Sequence, residues 1–263
     1  MNEAIADARA AGVYVITYFM DATEAEVPFV HVDEKPPATA MGKNMATQWK
    51  KLYPDKPISV GFIDFLSVEY CIDNRSGSFY QGVREVDPSL PEYTIEEFHD
   101  AAARDDATAF WLGAEGDITK SEEIGLSVLQ SNPEVNIIYG TNTPNVLGIL
   151  KAFEDNGRGL AVDGVPQTEI MAGTDGDQPE LLKLCDPTSA LKYTMGMQPQ
   201  TFAIAQIDLM MDVINGNVAP DEHSQVESED IYIDYYTWSL DEIEEWYNTQ
   251  YFGTLDIEAE LAK

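Results

Sequence analysis

Basic residues are scarce in this chain. Its 263 residues carry 15 Lys+Arg against 47 Asp+Glu, a formal net charge of −32. A surface this acidic repels phosphate backbones and anionic headgroups, which argues against non-specific nucleic-acid binding and docking on an anionic bilayer. Long apolar runs are also missing: no stretch approaches the roughly 18 residues that a membrane-spanning helix needs. The start, MNEAIADARAAGVYVITYF, has no basic region and its apolar run follows a charged helical stretch, so it does not read as a secretory leader. Cysteine is limited to Cys71 and Cys185, far apart and outside any CxxC. A disulfide framework is unsupported; two buried free thiols are the simpler expectation, one long-range disulfide the other. His31, His99 and His223 are dispersed, with no HxxxH or HExxH spacing. There is no GxSxG elbow, no P-loop, and no GxGxxG after a strand pattern. The acidic runs 21–26, 227–230 and 241–245 lack the order of a calcium loop and read as solvated faces. The expectation is a chain without cofactor, metal site or catalytic nucleophile.

What is present is a core. Hydrophobic residues make up 44%, with 13 Tyr, 10 Phe and 4 Trp, enough to exclude disorder. Helical and extended patterns alternate almost throughout. Runs rich in β-branched and aromatic residues at 13–19, 58–65, 135–140, 169–173 and 191–197 predict buried strands, with a shorter extended piece at 29–32 and another near 93–98. Between them, 3.6-residue periodicity predicts helices over 5–11, 42–52, 78–86, 118–130, 145–154, 179–184 and 202–214, the last apolar almost all round and so expected to be well buried. The polar stretch 217–230 predicts a loop, followed by an extended piece at 231–236 and a capped helix from Ser239. Strands spaced in this way call for an α/β fold with parallel sheets covered on both faces and right-handed crossovers.

In such sheets ligands gather outside the carboxyl ends of the strands. Polar side chains fall there one after another. Asn142 follows VNIIYG, Asp175 follows EIMAG, and Met197 and Gln198 follow KYTMG. Arg75 lies ten residues beyond ISVGFIDF, just before the next helical pattern. These types supply the planar donors and acceptors that polyol hydroxyls need. Turn and capping chemistry is an equally good reading of any one of them.

The same segments carry a family resemblance. AIADARAAGVYVIT (residues 4–17) is similar to a helix followed by "AGIPVI"; RSGSFYQGV (75–83) resembles "RxxGFxxGL", with Ser78 in place of a glycine; NTPNVLG (142–148) resembles "NDxxALG"; GTDG (173–176) is similar to "GxDG"; and 193–199 resembles a strand ending "xxQxP". In this order, from about residue 4 to about 216, they resemble the periplasmic sugar-binding proteins of ABC transporters, the ribose/galactose type that shares its fold with the ligand-binding domains of LacI-like repressors.

The resemblance implies a type I periplasmic-binding-protein fold of two Rossmann-like lobes with a sugar held between them. It implies that Arg75, Asn142 and Asp175 contact the ligand. The family glutamine aligns with Met197, with Gln198 one residue off, and the family acid after the "AGIPVI" strand falls near Phe19, so that Asp21 takes its place. Tyr18, Phe19, Phe110 and Trp111 are candidate stacking aromatics, with core packing as the alternative. Compared with the family, three β-α units are missing ahead of the first helix, so the N-terminal lobe is expected to be incomplete, with an exposed edge that a second copy could cover. The expected division is a partial N-terminal lobe at 1–74, a C-terminal lobe at 75–217, and a crossover and tail at 218–263. The strands at 13–19 and 58–65, plus a return strand near 231, would make the N-terminal sheet. The implied function is a non-enzymatic receptor for a neutral monosaccharide or polyol, periplasmic or extracellular, partnered by an ABC permease. The alternative is a sugar- or signal-sensing domain that feeds a kinase or regulator.

Overall fold

The computed structural model describes residues 2–19, 26–93, 97, 100 and 108–263. The chain divides into two compact units.

The larger unit comprises Glu34–Met197, Ile231–Asn248 and Gly253–Lys263. It is built on a six-stranded sheet of β3 (Val60–Asp64), β4 (Phe110–Gly113), β5 (Ile137–Gly140), β8 (Ile170–Asp175), β9 (Leu191–Gly196) and β11 (Ile231–Asp234), in the order β11-β9-β8-β5-β3-β4. All neighbours pair in parallel except β11, which runs antiparallel to β9 with Ile231 opposite Gly196. A parallel sheet must be covered on both faces, and the alternation of its residues shows how. Val60 and Phe62, Ile137 and Tyr139, Ile170 and Ala172, and Tyr193 and Met195 form one buried cluster with Met41, Met45 and Trp49 of α2 (Lys35–Leu52) and with Phe79, Tyr80 and Val83 of α4 (Ser78–Val86). The other face is covered by α6 (Thr143–Glu154) and α7 (Gln178–Cys185), with α5 (Ile118–Ser131) packed on α6. Helices α2 and α4 approach closely through glycine. A Cβ on Gly82 would lie 2.0 Å from the Thr39 carbonyl oxygen, and one on Gly42 would lie 2.1 Å from that of Phe79. The short hairpin β6 (Ala161–Val162) and β7 (Val165–Pro166) lies outside the main sheet. Helices α9 (Leu240–Gln250) and α10 (Ile257–Leu261) follow β11 in the chain.

The smaller unit comprises Met1–Asp33, Gln198–Asp230 and Thr249–Phe252. It contains α1 (Asn2–Ala10), α8 (Pro199–Ile214) and a three-stranded sheet of β1 (Thr17–Tyr18), β2 (Phe29–Asp33) and β10 (Gln225–Glu229), in the order β1-β2-β10 and parallel throughout.

Several expectations are corrected here. The strand expected over 13–19 shrinks to Thr17–Tyr18, which stand in register with Phe29 and Val30 of β2, and the Phe19 N–H closes the pairing on the Val30 carbonyl at 3.1 Å; Val13 and Tyr14 are 54% and 48% exposed. The loop expected over 217–230 holds β10, a polar strand fixed by its pairing with β2. Helix α8 is not buried all round: Phe202, Leu209 and Val213 are buried, whereas Ile204, Ile207, Met211 and Ile214 are exposed. One apolar stripe is satisfied by β2 and β10, and nothing among the described residues covers the other. The strands near 58 and 231 both join the six-stranded sheet rather than that of the smaller unit, because β3 pairs with β4 and β5, and β11 pairs with β9. Residues 34–74 accordingly cluster with the larger unit and 198–217 with the smaller.

Candidate functional site

The candidate residues of the larger unit gather at the carboxyl ends of its strands. Arg75 does not precede a helix as expected but lies within one. Residues Glu69–Cys71 form α3, a π-helical stretch spans Ile72–Gly77, and α4 continues directly. The π stretch changes the i→i−4 ladder, and the Ser78 hydroxyl donates to the Asp73 carbonyl at 3.0 Å. Such insertions are frequent at functional sites. The Ser78 that replaces the family glycine thus has a local role.

The Arg75 guanidinium is buried and held from two sides. Nε donates to Glu34 Oε2 at 2.9 Å and Nη2 to Glu34 Oε1 at 2.7 Å, a bidentate pair, while Nη1 donates to the Thr141 carbonyl at 2.6 Å. Glu34 is fully buried at the N-terminus of α2, so its charge is stable only with this partner. The Glu34 charge keeps the Arg75 guanidinium protonated against burial. At the end of β3, the Asp64 carboxylate accepts from the Phe65 N–H at 2.7 Å, the Thr141 hydroxyl at 2.9 Å, the Trp111 indole N–H at 2.8 Å and the Ser76 hydroxyl.

Beyond β5, Asn142 caps α6, its side-chain oxygen accepting from the Asn145 N–H at 2.9 Å. Asp175 ends β8 in the left-handed region, with φ of 102°. Its Oδ2 accepts from the Thr143 N–H at 3.1 Å and its carbonyl oxygen from the Met197 N–H at 3.2 Å. Burial pushes its carboxyl up to about 6, against the opposing pull of the Arg75 guanidinium and the Thr143 N–H. Trp246 of α9 supports the backbone here: a Cβ on Gly176, whose φ is 69°, would meet its ring at 2.7 Å.

Arg75, Asn142, Asp175 and Met197 therefore share one edge of the sheet of the larger unit. Trp111 lies in the core, its ring 4.4 Å from that of Phe62, and Phe110 is buried as well. Gln198 and Tyr18 belong to the smaller unit. Gln198 stands at the N-cap position of α8, and the Tyr18 ring packs 5.9 Å from both Phe19 and Phe202. Asp21 and His99 lie outside the described residues. Among the described residues, no three His, Cys, Asp or Glu side chains are grouped to hold a metal ion. Cys71 and Cys185 are free and buried, with thiols pushed up to about 12 by burial.

Residue-type reasoning missed Glu34 and Asp64. Asp64 ends a strand and Glu34 follows one, so the strand-end rule that selected Asn142 and Asp175 applies to them equally.

Similar folds occur among solved structures. An ABC transporter periplasmic solute binding protein from Actinobacillus succinogenes with bound D-allose is 19% identical, with 89% of this chain and 72% of that chain covered and a TM-score of 0.63. A glucose-galactose binding protein from Geobacillus stearothermophilus is 16% identical over 90% of this chain and 73% of that one, with a TM-score of 0.64. A Mycobacterium smegmatis protein in complex with β-D-fucofuranose is 16% identical over 99% and 75%, with a TM-score of 0.65. No curated protein matches. The family model of the periplasmic binding protein domain matches residues 1–217, which include Arg75, Asn142, Asp175 and Met197, and the chain belongs to that family.

Proposed function

We propose that this chain is the solute receptor of an ABC importer for a neutral monosaccharide or related polyol. The observation that carries the reading is the convergence of Arg75, Asn142 and Asp175 on the carboxyl ends of successive parallel strands. The sugars bound by proteins of the same fold support the ligand class: D-allose and β-D-fucofuranose. Asp175 accepts from ligand hydroxyls, Asn142 both donates and accepts, and Arg75, oriented by Glu34, donates. Hinge closure around the ligand removes water and makes each hydroxyl contact discriminating. An ABC permease then engages the closed form, outside the cytoplasm. No chemical step is assigned to the site, and a binding role needs none.

Calorimetric or fluorescence titration with pentoses, hexoses and inositols tests the reading. Saturable binding of at least one, abolished by Asp175→Ala, is expected. Binding by none of the panel, or binding untouched by Asp175→Ala, refutes it.

A further inference from the structure

Beneath Asp175 lies a second acid whose surroundings are unlike those of an ordinary carboxylate. Glu180, in the first turn of α7, has no solvent exposure. Its Oε1 has no hydrogen-bond partner among the described residues and presses on the backbone of β8, where a Cβ on Gly173 would lie 2.1 Å away. The carboxyl meets two hydroxyls, those of Thr143 and Thr194. Each hydroxyl has one proton and a competing acceptor: the Thr174 carbonyl 3.3 Å from Thr143 Oγ1, and the Met195 carbonyl 3.4 Å from Thr194 Oγ1. An ionised Glu180 would draw both protons away from those carbonyls. The charges that bear on it, from Asp175 at the end of β8 and Asp177 just ahead of α7, are both negative.

A carboxylic acid resolves the donor count. Its own O–H donates to Thr143 Oγ1, which frees the Thr143 proton for the Thr174 carbonyl. We propose that Glu180 is a protonated acid that acts as a positioning residue, fixing Thr143 so that its main-chain N–H stays aimed at the Asp175 carboxylate. The link to ligand affinity rests on the function proposed above; the protonation itself does not. Burial drives the Glu180 carboxyl well above its ordinary range, and the two acidic neighbours push the same way. Thr143 is thereby held on both sides, by Glu180 through its hydroxyl and by Asp175 through its N–H. This accounts for the presence of threonine after Asn142, where the resembled motif has aspartate. A second carboxylate there would face Glu180, whereas a hydroxyl accepts its proton.

Infrared spectra of the ligand-free chain test the protonation. A non-ionised carboxyl band at pH 7 that disappears in Glu180→Gln is expected; its absence from the wild type overturns the proposal. The positioning is read from the carboxyl carbon-13 titration of Asp175, also without ligand. Glu180→Gln keeps an uncharged donor and should leave the Asp175 midpoint near that of the wild type. Thr143→Val removes the hydroxyl but keeps the N–H, and should raise the midpoint as that hydrogen bond slackens. An unmoved midpoint in Thr143→Val overturns the positioning role. With a binding sugar in hand, Glu180→Gln should retain affinity within about threefold and Glu180→Ala should lose roughly tenfold or more. Equal losses in the two variants overturn it, and Thr143→Val replaces Glu180→Ala if that variant fails to fold. A wild type that binds no sugar defeats the proposed function but leaves the infrared and titration results to decide this one.

Discussion

Arg75, proposed above as a ligand contact, is first of all bound into the fold. Three of its N–H groups are engaged by Glu34 and by the Thr141 carbonyl, so its plane is fixed before any ligand arrives. Removing Glu34 would leave the guanidinium buried without its counter-charge. Glu34→Ala should therefore destabilise the chain by about 3–5 kcal/mol in urea unfolding. Asp175 gives a pH signature. Its folded carboxyl titrates at about 6, above the ordinary value near 3.8. The unfolded chain therefore ionises first as pH rises, and the contribution of this group to stability declines between those values and is constant above them. On the binding role proposed for Asp175, ligand affinity runs the other way, because the ionised form would accept hydroxyl protons: binding should weaken as pH falls through about 6, and Asp175→Asn should flatten the profile. Titrations across pH 5–8 measure this. The positions of Asn142 and Asp175 were legible in the sequence because each stands at a strand end inside a recognisable motif, and that of Arg75 because it opens such a motif. Glu34 was not, because its partner is 41 residues away and only the tertiary fold joins them. Nor was the role of Trp111, whose indole N–H is claimed by Asp64 from the adjacent strand.

Helices α2 and α4 show what close approach demands of sequence. Each presents a glycine to a backbone carbonyl of the other, and the side of α4 that faces α2 also carries Phe79 into the core. Gly82→Ala would place a methyl carbon 2.0 Å from the Thr39 oxygen, so the helices must separate; a loss of about 1–3 kcal/mol is expected by chemical denaturation. Helix α8 makes the opposite case. Ile207 is 63% exposed, so Ile207→Gln should change stability by no more than about 0.5 kcal/mol, despite the apolar pattern around it. The helix itself was legible from periodicity, but its burial was not, because burial depends on how many strands lie beneath it. The same reason explains the polar strand β10: its residues do not read as extended until β2 is there to pair with them.

At the scale of the whole chain, acids outnumber bases by 47 to 15. With a net charge of −32, mutual repulsion among carboxylates opposes compaction, and counterions relieve it. Thermal unfolding midpoints should rise with sodium chloride from low to physiological ionic strength and beyond, and an invariant midpoint would show that local pairs already balance the repulsion. The parallel α/β architecture was legible from the alternation of strand and helix patterns; the allocation of segments to units was not, because β3 and β11 join the larger sheet through pairings between distant parts of the chain. That allocation also has a covalent meaning. The smaller unit is assembled from three separate stretches and the larger from three others, so the backbone passes between them at five junctions. A protease that cuts any single junction leaves four intact tethers. The nicked molecule should run as one species under native conditions and separate into fragments only when denatured, and neither unit can be released, lost or exchanged by one cleavage.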